Sequence, residues 1–190
     1  MQDGPQLVIN DRTVVQMLNR GDKVMELAVA GALNKTAGKI RTKSVRETAR
    51  RLHVAQKHIR QRYYIRRAHR RRMVAEVRVY SKSLNPVRIA TPVETATGVT
   101  TGAHKFPGAF LINGRNSGKL LVVKRSPRAR VSTGKDSKGR PRRNRLPVTA
   151  KRIFMHDLAM EVIRTVADRE AQRMVDEEIP RQVVWRMERA

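Results

Sequence analysis

Few residues in this 190-residue chain are of types able to do chemistry, and they are scattered. Five histidines, His53, His58, His69, His104 and His156, stand singly among basic or apolar neighbours. His53 and His58 are five apart, which misses the four-residue spacing that puts two imidazoles on one zinc ion, and no H-E-x-x-H occurs. The chain has no cysteine, which removes disulfides and thiolate metal ligands. Gly114 to Lys119 resembles a phosphate-binding loop but is one residue short. Leu120 stands where a hydroxyl would be needed to hold magnesium, so the segment reads as a hairpin loop. Asn34-Lys35-Thr36 fits a glycosylation sequon without a secretory signal. Acid pairs such as Glu177-Glu178 read as solvated helix surface. The reading is of a protein that is not an enzyme, with no metal site and no cofactor.

Two basic clusters remain. Arg66, Arg67, Arg70, Arg71 and Arg72 form one, and Arg140, Arg142, Arg143 and Arg145 the other. Guanidinium groups in such runs contact phosphates and position a protein without reading base sequence. An acidic face of a neighbouring protein is the other partner they suit. There is no zinc-finger spacing, helix-turn-helix or basic zipper, so sequence-specific recognition is not expected.

The net charge is +26, and it is unevenly placed. Lys35 to Arg72 holds fifteen Lys and Arg against one acid, Glu47, and Lys119 to Arg152 holds thirteen against Asp136 alone. From Asp157 onward eight acids face six arginines. Excess charge of this size calls for partners with negative surfaces. Aromatic residues make up only 4%, which argues against an extended base-stacking platform. No apolar run is long enough to span a bilayer, and MQDGPQLVIND lacks the features of a signal peptide, so a soluble cytoplasmic protein is expected.

The elements that must position these groups follow from period and punctuation. Gln6 to Ile9 suits a short strand, and Asn10-Asp11 an N-cap for a helix carrying Val14, Val15 and Leu18. Asp22 suits the cap of a second helix, with Val24, Leu27, Ala28, Gly31, Ala32 and Lys35 at helical spacing. Gly38 weakens that run. Thr42 to Leu52 resumes it, with Ser44 and Glu47 at capping-box spacing. His53 to Arg62 suits a short helix with Val54 and Ile59 inward. Met73 to Tyr80 alternates with period two, as a half-buried strand with Glu76 and Arg78 on its wet face. Asn85-Pro86 marks a turn, Val87 to Ala90 a possible strand, and Thr95 to Thr101 a strand or loop.

Ala109 to Ile112 and Leu120 to Val123, joined through Asn113-Gly114, read as a hairpin at the centre of a small sheet wrapped by helices. Ser126 to Arg145 lacks large apolar groups and reads as a mobile basic loop. From Asp157, an amphipathic helix carries Leu158, Val162, Ile163, Val166, Met174 and Val175. It should end or kink before Pro180. A last helical piece then presents Val183, Val184 and Met187, with Trp185 off that face as core or subunit contact. The fold class is α+β: N-terminal helices and a long C-terminal helix packed on a small, mostly antiparallel sheet with a basic loop. The expected organisation is one domain over 1–190, mainly helical over 1–62, mainly strands over 63–125, basic loop over 126–145 and C-terminal helical part over 146–190.

Several of these residues resemble the minor tail protein Z family of lambda-like bacteriophages and prophages, tail completion proteins. The resemblance lies in Pro107-Gly108-Ala109-Phe110, Asn113-Gly114-Arg115, the apolar run ending at Lys124-Arg125, and Asn144-Arg145-Leu146-Pro147-Val148. It continues through Met155 and Glu178-Ile179-Pro180. In the N-terminal half it is looser, through Val29 to Ala37 and Val45-Arg46-Glu47-Thr48. The resemblance implies a structural component acting late in tail assembly at the head-proximal end. Its implied partners are tail and neck proteins, and it implies a homo-oligomeric ring, a hexamer, with DNA contact in the channel. The protein would be in the virion tail and, during assembly, the host cytoplasm. The alternative from composition is a sequence-nonspecific nucleic-acid-binding protein, nucleoid- or ribosome-associated.

Overall fold

A computed structural model describes residues 23–114, 118–126, 138–139 and 148–188. The expected strand at Gln6 to Ile9, the first helix with Val14, Val15 and Leu18, and nearly all of the Ser126 to Arg145 loop lie outside these residues. The chain forms two compact units. The first combines the N-terminal part through Lys82 with everything from Met155 onward, and the second is Ser83–Phe154.

The first unit is built on two long helices, α1 (Lys23–Arg51) and a C-terminal helix, α3 (His156–Met187). Ala28, Ala32, Leu33, Thr36, Ala37, Ile40, Ser44 and Thr48 recur at three- and four-residue spacing and are all buried, giving α1 one continuous inward stripe of apolar and small hydroxyl residues. The expected interruption at Gly38 does not occur. A mid-helix glycine costs about 1 kcal/mol against alanine, while full burial of a side chain such as Ile40 contributes about 1.5–3 kcal/mol. Nor does Ser44 cap a helix, because it lies buried inside α1. The helix ends where His53 takes a left-handed conformation (φ 49°) and Val54 N–H reaches back to the Ala49 carbonyl at 3.0 Å. The buried Val54 side chain accompanies that cap.

A short helix, α2 (Gln56–Arg60), buries Ile59 and leads into β1 (Tyr63–Arg66), which pairs antiparallel with β2 (Glu76–Val79). Tyr63 and Val77 turn inward. The Tyr63 hydroxyl lies 2.7 Å from Thr48 Oγ1, and both long helices pack on this ribbon. Period two predicts a wet Glu76, yet it is 1% exposed. Its carboxylate is held by Arg72 and by Arg78, whose Nη2 lies at 2.5 Å, so charge pairing overrides the alternation.

The α3 helix runs unbroken through Pro180. Pro180 and Asp176 are both exposed, so the carbonyl that loses its intrahelical donor lies on the solvent side. Beyond Pro180 the expected helical piece forms, with Val183 half-buried. Val184 and Met187 are exposed, Trp185 is 43% exposed and outside the core, and Ile179 and Gln182 are the buried residues.

The second unit holds two three-stranded antiparallel sheets. One is β3 (Pro92–Thr95), β4 (Gly98–Thr101) and β5 (His104–Pro107). The other is β6 (Ala109–Asn113), β7 (Leu120–Arg125) and β8 (Val148–Ala150). Val99, Ala109 and Val122 form its core with Val87, Phe106 and Leu111. Gly98 (φ 149°) is required there, since a Cβ would sit 2.3 Å from the Phe106 carbonyl oxygen. The 109–125 hairpin forms as expected, from Ala109↔Lys124 to Asn113↔Leu120. Among its described residues this unit has only a 3-10 turn, Pro86–Arg88, in place of the expected strand at Val87 to Ala90. The Asn85 side chain accepts from Val87 N–H at 3.2 Å and sets that turn.

Candidate interaction surfaces

Of the acid pair Glu177-Glu178, read from the sequence as solvated surface, Glu177 is exposed but Glu178 is buried, and it joins Glu161 and Glu170 in meeting cations of α1. Lys39 Nζ donates to Glu178 Oε1 at 2.5 Å, with Lys35 at 3.6 Å from the other oxygen. Lys43 pairs with Glu170, and Arg51 Nη1 donates to Glu161 Oε1 at 3.0 Å. Residue number rises along α1 as it falls along α3, so this is a ladder between antiparallel helices. Glu178 is 4% exposed, and the Lys39 ammonium beside it holds its carboxyl below the ordinary range. Glu47 accepts from Arg50 and Arg51 and is likewise held low. Five acids from outside the segment, Glu26, Glu76, Glu161, Glu170 and Glu178, thus answer part of the excess charge of residues 35–72.

The first basic cluster divides. Arg70 Nε donates to Glu26 Oε2 at 2.7 Å, and Arg72 is committed to the buried Glu76. Arg66, Arg67 and Arg71 are exposed. Arg66 shares the outer ribbon face with Tyr64 and Tyr80, whose rings stack with centroids 4.6 Å apart. A tight turn connects β1 to β2, closed by reciprocal His69 and Arg72 backbone hydrogen bonds of 2.9 and 2.8 Å. It is fixed to α1 by Asn34, which donates from Nδ2 to the Ala68 carbonyl at 2.9 Å and accepts Ala68 N–H at 2.8 Å. A cleft opens between this turn and α1, with Leu27, Ala30 and Gly31 on one side, Arg70 and Arg71 on another, and Arg186 of α3 at its end.

Arg140, Arg142, Arg143, Arg145 and Pro147 lie outside the described residues, as do Arg115 to Ser117. Pro107 and Gly108 (φ 67°) form the link between β5 and β6. Phe110 stands opposite Val123, Asn113 closes the hairpin, and Gly114 N–H donates to the Lys119 carbonyl at 2.8 Å. Pro180 is the exposed helical residue described above. Among the described residues no three His, Asp or Glu side chains gather to hold a metal ion, and no helix is long and apolar enough to cross a membrane. Sequence reasoning missed Asn34, Glu76 and Glu178 as organising groups. Only the last carried a signal, as one of the acids spaced along the final helix opposite a lysine run.

The chain matches the family described as prophage minor tail protein Z over residues 11–189, and it belongs to that family. It is thus a phage tail protein. No curated protein and no solved structure matches it.

Proposed function

We propose that this protein completes the phage tail at its head-proximal end as a structural component without catalysis. It forms a homo-oligomeric ring, a hexamer, in contact with other tail and neck proteins. Family membership over nearly the whole chain carries this reading. The charge distribution supports it. Glu161, Glu170 and Glu178 are spent on cations of the facing helix, while Arg66 and Arg67 stay exposed. These two, with Arg140, Arg142, Arg143 and Arg145, are the groups we assign to DNA in the channel, through phosphate contacts that carry no sequence preference.

Removing the coding segment from an inducible prophage tests the role. The expected result is heads and tails that accumulate unjoined, and infectious particles on adding back the purified protein. Normal infectious particles without the chain would contradict it.

A further inference from the structure

The basic cleft of the first unit has the composition of a protein-docking site. Its polar wall is Arg70, Arg71 and Arg186, and its floor includes Leu27, a leucine 38% exposed. Arg186 Nε is enclosed without an acceptor. Trp185, next in the chain, lies 43% exposed with the Arg186 guanidinium 5.4 Å from its ring. Arginine at a partly desolvated cleft is among the residue types that dominate association energies. The turn presenting Arg71 is fixed beforehand by Asn34, so little ordering entropy remains to be lost on docking.

Groups of complementary charge stand at the other end of the same helix. There α3 presents Asp157 and Asp168, both exposed, on a surface shared with the exposed Arg164 above the buried Met160, and among the described residues neither aspartate forms an ion pair. Asp168 and Arg186 are separated by about 27 Å of helix at 1.5 Å per residue. The acidic face therefore cannot reach the cleft of its own chain. The helix dipole favours acids early and bases late in α3, but it does not account for Arg71, which stands on a separate turn.

We propose that the cleft receives the Asp157–Asp168 face of a second copy of this chain. The contact is head-to-tail, so each copy offers one cleft and one acidic face, and such contacts propagate until they close. This deepens the oligomeric reading given above and rests on it.

Sedimentation velocity of the full chain at low salt tests the contact, using three proteins. The cleft variant is R71E/R186E, and the face variant is D157R/D168R. Wild type is expected to associate and to dissociate as salt is raised, with Trp185 emission shifting to shorter wavelength on association. Each variant alone sets like charges against each other and is expected to lose at least tenfold in association constant. Mixed one to one, the two variants are expected to reassociate, because the reversed cleft meets the reversed face and the native cleft meets the native face.

Reassociation also proves that both variants fold. R71E paired with D168R repeats the test with only exposed side chains changed. A monomeric wild type, a variant that still self-associates, or folded variants that fail to associate on mixing would overturn the contact. These outcomes are separable from the tail assignment. A chain found in virions yet monomeric in solution refutes the contact alone, and a chain that assembles in solution yet is missing from virions refutes the assignment alone.

Discussion

Asn34 holds Ala68 by both of its backbone polar groups, donating to the carbonyl at 2.9 Å and accepting from the N–H at 2.8 Å. One side chain on a long helix thereby fixes the turn that carries the exposed Arg71. Asn34→Ala removes both bonds and leaves a partly buried amide and carbonyl to water. The expected loss is about 1–3 kcal/mol in denaturant unfolding. Hydrogen exchange at the Ala68 amide should speed up, while that of the α1 core amides changes only through global stability. An unchanged Ala68 amide would show that the turn is held by other means.

Glu178 gives the helix pair an acid-sensitive joint. Its carboxyl is held below the ordinary value of 4.5, first by the Lys39 hydrogen bond and then by the Lys39, Lys35 and Arg181 charges. A depressed folded value means that this stabilisation is present above the ordinary carboxylate range and fades as pH falls through the folded value. Glu178→Gln is expected to cost about 1–2 kcal/mol at neutral pH, limited because Lys39 is 40% exposed and solvent screens it. Its stability should also fall less steeply than wild type below the ordinary carboxylate range, as followed by circular dichroism. Parallel pH profiles would exclude Glu178 as the titrating group.

Glu76 is a buried charge with two arginine partners, each about a quarter exposed. Glu76→Ala strands both guanidinium groups beside a low-dielectric face. The expected cost is about 2–4 kcal/mol, below the cost of breaking a fully buried pair because the arginines can turn to water. Thermal unfolding measures it. A cost under about 0.5 kcal/mol, the size of an ordinary surface substitution, would place Glu76 among replaceable surface acids.

At Gly31 the helices approach so closely that a Cβ would lie 2.6 Å from Gln182 Oε1. Gly31→Ala gains about 1 kcal/mol of helix propensity and displaces only the end of one side chain, so it should be near neutral. Gly31→Leu has no such escape and is expected to destabilise by about 1–3 kcal/mol through overpacking. Equal stability of the two variants would mean that the helices separate there freely.

Much of this architecture was legible in the residues. The spacing of Val24, Ala28 and Ala32, and of Val162, Ile163 and Val175, marked both long helices, and Asn113-Gly114 between two apolar runs marked the hairpin. What was not legible depends on tertiary neighbours. Gly38 and Pro180 are local helix weaknesses that packing of the flanking turns overrides. Ser44 and Glu47 have capping spacing, but burial of Ser44 keeps it inside the helix. Glu76 follows a strand alternation that its two arginines reverse. The Lys39–Glu178 contact joins residues 139 apart, a distance no local pattern reports. The helix stripe around Leu27 and Gly31 was visible, but the cleft it lines required Arg70, Arg71 and Arg186 to be brought beside it.

The most direct test of the central claim is immunogold electron microscopy of particles from an induced lysate, with antibody raised against this chain. Label at the junction of head and tail is predicted. Unlabelled particles, with the chain instead sedimenting with nucleic acid at low salt and released at high salt, would contradict the claim.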